Sequence, residues 1–165
     1  MNSLSFPHEV IIETVKGCNL TCSYCYVNHS REGVAPKIQV MSKSVLETFI
    51  PKFLKTAGSF ARFDWHGGEP LLAGIDYYLE ALHLQEKFME PNQTILNVLQ
   101  TNATLINDTW LRLFSQHRFR IGVSFDGTPE IHDAHRRTFS GAPSSKAVLR
   151  GLNKLLQAGI PVSLL

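Results

Sequence analysis

Apolar runs of strand length alternate with stretches of helical periodicity along this chain, and no other feature constrains its fold so tightly. Strands that alternate with helices build βα units and a parallel sheet. The first strand spans about Val10 to Lys16. A helix follows from about Ser42, with Val45, Leu46, Phe49, Ile50, Phe53 and Leu54 on one face, and Pro51 inside it is expected to kink it or end its first half. The second strand runs from about Phe60 to His66 and its helix from about Ile75 to Phe88. The third strand lies near Thr94 to Thr101, and Asn107 or Asp108 caps the helix after it. The fourth lies near Phe119 to Ser124; Ser144 or Ser145 then caps a helix with the stripe Val148, Leu149, Leu152, Leu155 and Leu156. Gly159 stands where a helix end wants a left-handed residue, and a fifth strand opens at Ile160. The expected fold class is α/β, a partial (βα) barrel of four βα units and the start of a fifth strand. A parallel sheet that stops on an apolar strand leaves an uncovered edge. The expectation is therefore a piece of a larger protein, truncated after the start of strand five.

Composition narrows the function. With 44% hydrophobic and 18% charged residues, the chain reads as an ordinary soluble domain with a real core. A net charge of +2 without a basic run speaks against nucleic acid as a partner. No apolar stretch reaches the roughly 18 residues of a spanning helix, so no membrane is expected. The start, Met1 to Val10, has neither the basic beginning nor the apolar centre of a signal peptide, and a cytoplasmic location is expected.

All three cysteines, Cys18, Cys22 and Cys25, fall within eight positions. An odd number cannot be used up by disulfides inside one chain, and such spacing reads as a ligand set in a reducing compartment. Three thiolates leave one iron of a four-iron cluster without a protein ligand, and an open coordination position is what a catalytic metal site keeps. Asn19 and Thr21 can turn the loop, and Tyr24 can pack against whatever fills the open position. The competing assignment is a zinc site completed by His29 or His66.

The remaining unusual residues share a location. Gly67-Gly68-Glu69-Pro70 follows the second strand, Gln100-Thr101-Asn102 closes the third, and Ser124-Phe125-Asp126-Gly127 closes the fourth. Loops at the C-terminal ends of strands build the active sites of barrel-like βα folds. In the second strand Arg62, Asp64 and His66 alternate with Ala61, Phe63 and Trp65, and in the fourth Arg120 and Ser124 alternate with Phe119, Ile121 and Val123. The polar faces are expected to line the inside of the sheet, which favours an open cavity over a sealed core. Taken alone, Gly67 to Pro70 is the composition of a plain turn, Gln100 and Asn102 are loop-capping amides, and Arg136 beside Arg137 is a solvated charge pair.

A C-x3-C-x-aromatic-C motif after a first strand, with Gly-Gly-Glu-Pro after the second, resembles the radical S-adenosylmethionine (SAM) superfamily. The stretches Gln100 to Leu105 and Gly122 to Gly127, followed by Ile131-His132 and Arg136, are similar to the branch of anaerobic sulfatase-maturating enzymes and related SPASM-type peptide maturases. The resemblance implies a radical SAM core that binds a [4Fe–4S] cluster through Cys18, Cys22 and Cys25, cleaves SAM to a 5′-deoxyadenosyl radical and modifies a peptide or protein. It assigns the SAM amino group to Gly67, Gly68 and Glu69, with Pro70 fixing the turn, and the SAM carboxylate to Ser124 and Arg136. Gln100 and Asn102 meet the ribose or the substrate, Tyr24 packs at the open iron, and Asp126 orders its loop. Residues 1–165 would be the N-terminal part of the core domain, without the auxiliary-cluster domain, and inactive by themselves. An electron donor such as flavodoxin or ferredoxin is implied as a partner. Where sulfatase maturases commonly carry glutamine before Gly-Gly-Glu-Pro, this chain has His66, a candidate for the substrate cavity. That residue turns the expected modification toward side-chain cross-linking of a ribosomal peptide, with formylglycine formation on a sulfatase as the alternative.

Overall fold

A computed structural model describes residues 8–26 and 35–165. Five strands run parallel: β1 (Glu9–Lys16), β4 (Phe60–Gly67), β5 (Thr94–Thr101), β6 (Arg120–Val123) and β8 (Val162–Leu164). A short β3 (Gln39–Val40) pairs antiparallel with the end of β1, giving the sheet order β3-β1-β4-β5-β6-β8. The parallel strands are neighbours in chain order, so the crossovers wind round the sheet in one sense, as in a barrel. This is the α/β architecture expected from the sequence.

Helices α1 (Lys43–Thr56), α2 (Ile75–Phe88), α3 (Asp108–Gln116) and α5 (Ser145–Gln157) share one hydrophobic core with the strands. Alternation decides which strand residues reach it. In β4, Ala61, Phe63 and Trp65 are buried in that core, while Arg62, Asp64 and His66 face the other way. Aromatic rings run through the core from Phe53 to Phe63, Trp65, Tyr78, Trp110, Phe114 and Phe119 at centroid separations of 5.1–5.8 Å. Contacts of that kind add roughly 0.5–1.5 kcal/mol each beyond burial. Burying the Trp65 ring requires a partner for its N–H, supplied by Asn97 Oδ1 at 2.8 Å. Asn97 in turn exchanges hydrogen bonds with Gln85 of α2, so the polar insertion is satisfied.

The helix α1 continues through Pro51, against the expectation that it would end there. A proline inside a helix costs roughly 3 kcal/mol. Leu46, Ile50, Phe53 and Leu54 are buried on both sides of it, and at roughly 1.5–3 kcal/mol each their burial outweighs that cost. Asn107 caps α3 as read from the sequence, accepting from the N–H groups of Thr109 and Trp110. Gly159 adopts φ 67° after α5. Ser144 stands at the α5 cap position, but its hydroxyl does not cap the helix; Asp133 accepts from the N–H groups of Ser144 and Ser145 instead. Asp133 belongs to α4 (Pro129–His135), which leads into β7 (Arg136–Thr138). Strand β7 pairs antiparallel with β2 (Leu20–Cys22) in a small second sheet.

Candidate functional site

The motif loops meet over the C-terminal ends of β1, β4, β5 and β6, on the sheet face away from the core. They enclose a cavity of about 530 Å³, within the range of small-molecule and cofactor sites. Cys18, Cys22, Cys25, Tyr24, His66, Gly67, Gly68, Gln100, Asn102, Ser124 and Arg136 all line it. Its polar inner wall includes Glu9, Arg62 and Asp64, with Arg62 donating to Asp64 at 2.9 Å. Arg120, expected on the same lining, is exposed and does not reach the cavity.

Close backbone approach is what brings the cysteine loop to this place. A Cβ on Gly68 would lie 1.9 Å from Gly17 O, and one on Gly67, at φ 135°, would lie 2.5 Å from Val15 O. The N–H of Glu69 donates to Gly17 O at 3.0 Å. Beyond Gly17, β2 carries Leu20 to Cys22 onto β7, so that Cys22 pairs with Arg136. Asn19 ties the loop to the end of β5: its Nδ2 donates to Thr104 Oγ1 at 2.8 Å and its Oδ1 accepts from Asn102 Nδ2 at 2.8 Å. Beyond the turn and backbone hydrogen bonds expected of Asn19, its side chain ties the loop to Thr104, for which no role is expected from the sequence.

The donor set fits an iron–sulfur cluster. Cys18 Sγ accepts from Leu20 N–H at 3.4 Å and Asn102 Nδ2 at 3.6 Å, the kind of hydrogen bonding to sulfur that tunes such centres. Burial pushes the Cys18 thiol up to about 12, against the pull of the Leu20 N–H. Among the described residues, no three His, Cys, Asp or Glu side chains gather closely enough to share a single metal ion. The competing zinc set of the cysteines with His66 is not gathered among the described residues, whereas a four-iron cluster gives each thiolate a different iron. His29 lies outside the described residues.

The SAM amino group is expected at Glu69, with Pro70 fixing the turn. Glu69 and Pro70 are buried and do not line the cavity. The Glu69 carboxylate instead accepts from Leu71 N–H at 3.0 Å, Thr101 Oγ1 at 2.7 Å and Asn102 N–H at 2.8 Å. It clamps the 3-10 turn Pro70–Ala73 to the end of β5, and of Gly-Gly-Glu-Pro only the Gly67–Gly68 backbone faces the cavity. Opposite, Gln100 Nε2 donates to Ser124 Oγ at 2.8 Å, in space kept open by Gly122. Arg136 Nε donates to Asp126 Oδ1 at 2.9 Å, and its guanidinium lies 5.3 Å from the Tyr24 ring centroid. Tyr24 OH donates to Asp126 Oδ2 at 2.5 Å. Although burial opposes it, the bonds from Tyr24 and Arg136 hold the Asp126 carboxyl below its usual range. The Asp126 carboxylate thus ties its loop to Tyr24 and to Arg136.

Known proteins share this arrangement of elements. The model of the radical SAM superfamily matches residues 12–165. The serine-type anaerobic sulfatase-maturating enzyme of Klebsiella aerogenes is 40% identical over 163 residues, 96% of this chain and 39% of that protein. The cysteine-type enzyme of Clostridium perfringens strain 13 is 36% identical over 146 residues, 87% of this chain and 40% of that protein. The chain thus spans about two fifths of the length of these curated relatives. Among solved structures, native anSMEcpe with bound AdoMet superposes with a TM-score of 0.88 at 32% identity, over 96% of this chain and 44% of that one.

Proposed function

The chain belongs to the radical SAM superfamily, and from that premise we propose that it holds a [4Fe–4S] cluster on Cys18, Cys22 and Cys25 and S-adenosylmethionine (AdoMet) in the adjoining cavity. When bound, the pair supplies reductive cleavage of a sulfonium and abstraction of a substrate hydrogen atom. The protein's own residues bind, orient and shield. Arg136 spends its Nε–H on Asp126, also faces Cys22, and offers its remaining N–H donors to a carboxylate. Ser124 receives its hydrogen bond from Gln100, so its own hydroxyl hydrogen is available to the same carboxylate. The backbone acceptors of Gly67 and Gly68 suit an ammonium group, and Glu69 and Pro70 hold that turn in place. Asn102 secures Cys18 and Asn19, Tyr24 covers the guanidinium, and apolar Ile11, Leu20 and Val98 limit water.

The observation that carries this reading is convergence: three thiols after the first strand and residues of the motifs that end the next three parallel strands line one cavity. Residues 1–165 would then be the N-terminal part of a core domain, and the whole protein a maturase of a peptide or protein. Relatives named as sulfatase-maturating enzymes, and an anSMEcpe structure with bound AdoMet and Cp18Cys peptide, make formylglycine formation the first reading of its reaction. His66 on the cavity wall supports the second, cross-linking within a ribosomal peptide. An electron donor of the flavodoxin or ferredoxin type would serve either. The test is anaerobic assembly with iron and sulfide, then AdoMet and dithionite. Cluster uptake by wild type and its loss in Cys22→Ala support the proposal; stoichiometric zinc with no iron uptake overturns it. A sulfatase-derived serine or cysteine peptide that gains a hydrazide-reactive aldehyde, given the full-length protein, selects the first reaction.

A further inference from the structure

His132 sits beneath the cavity between Asp126 and Arg136, and nothing in the proposed chemistry uses it. Its side chain is fully buried and stacked on the Phe125 ring at 4.6 Å. Both ring nitrogens are engaged, Nδ1 with the Asp126 N–H at 3.4 Å and Nε2 with Ser144 Oγ at 2.9 Å. The chemistry of the partners fixes the direction of each bond. A backbone N–H can only donate, so Nδ1 accepts and carries no proton. Ser144 spends its own hydroxyl hydrogen on the Arg136 carbonyl at 2.6 Å, so Nε2 carries the proton and donates to Oγ. One directed chain therefore runs from Asp126 N–H through His132 and Ser144 to Arg136 C=O. It closes into a ring through the Arg136 Nε bond to Asp126 Oδ1. The guanidinium that faces the cavity is thereby held at its backbone and at its Nε.

We propose that His132, as the neutral Nε2–H tautomer, is a positioning residue that fixes the Asp126–Arg136 pair for AdoMet binding. The proposal rests on the reading that Arg136 meets the AdoMet carboxylate. A proton on Nδ1 would set one N–H against another at Asp126 and open the ring. The charged groups around the imidazole are Arg136, Asp126 and Asp133. Burial, and then Arg136, lower its pKa against the two carboxylates, so the ring stays neutral near pH 7.

AdoMet affinity is measured by equilibrium dialysis on the anaerobically assembled protein, alongside iron and sulfide content. Arg136→Ala, His132→Phe, His132→Asn and Ser144→Ala are compared with wild type. His132→Phe is expected to keep the cluster and to weaken AdoMet on the order of tenfold, as loss of an outer-shell partner does. His132→Asn restores the acceptor for Asp126 N–H and is expected to recover part of that loss. Ser144→Ala leaves the Asp133 cap intact and severs the chain one bond further on, so it serves if the phenylalanine variant does not fold. Independently, 15N NMR of the cofactor-free protein is expected to show His132 as the neutral Nε2–H tautomer at pH 7. Wild-type affinity in a folded His132→Phe or Ser144→Ala variant, or an Nδ1–H tautomer, overturns the proposal. Unchanged affinity in Arg136→Ala removes instead the assignment of the carboxylate to Arg136, and the tautomer then judges the His132 chain by itself.

Discussion

A methyl group at Gly68 would meet the carbonyl of Gly17 at 1.9 Å, so the residue in front of Cys18 sets the identity of a residue beyond the next helix and the strand that follows it. Gly68→Ala is expected to lower stability by about 1–3 kcal/mol and to reduce iron uptake, read from urea unfolding and iron content; wild-type values of both would contradict the close approach. Glu69 belongs to a strand-end motif, and its side chain is turned into the protein. Its composition and place were visible in the sequence, but the direction of its side chain was not, because the partners at Leu71, Thr101 and Asn102 depend on how β4 and β5 pair. Burial raises its carboxyl to about 7, opposed by the bonds from Asn102, Thr101 and Leu71. A carboxyl whose folded value lies above the ordinary 4.5 contributes stability in full below that pH and loses it as pH rises through about 7. Wild-type stability minus that of Glu69→Gln is therefore expected to fall between pH 5 and pH 8, by on the order of 1–3 kcal/mol. A flat difference across that range would contradict the burial of the charge.

Among the elements, α5 depends on a cap that comes from another helix. Asp133 accepts from the N–H groups of Ser144 and Ser145 and from Ser145 Oγ. Asp133→Ala is expected to cost about 1 kcal/mol and to raise amide exchange in the first turn of α5, where unaltered exchange would refute the cap. The long elements were legible because periodicity extends over many residues: α2 and β5 have the bounds read from the sequence, and β4 follows its alternation. The short ones were not. Strands β2 and β7 have three residues each and exist through pairing with each other, a contact between segments far apart in sequence. Helix α4 has seven residues, too few for an apolar stripe to show. Those unreadable elements bring Arg136 beside Cys22, so the site residues could be named from their motifs while the frame that joins them could not.

At the scale of the molecule, a singly wound parallel sheet presents a hydrophobic face to its helices and a polar, cavity-bearing face on the other side. Every crossover delivers a loop to the same end of the sheet, so one topology suffices to gather residues from Cys18 to Arg136. We propose that the cluster and AdoMet share this cavity. The most direct test is the EPR spectrum of the dithionite-reduced, anaerobically assembled protein, recorded with and without AdoMet. A cluster signal whose shape changes on AdoMet addition is expected, with no cluster signal in Cys22→Ala. A signal that ignores AdoMet, or one that survives the loss of Cys22, would contradict it.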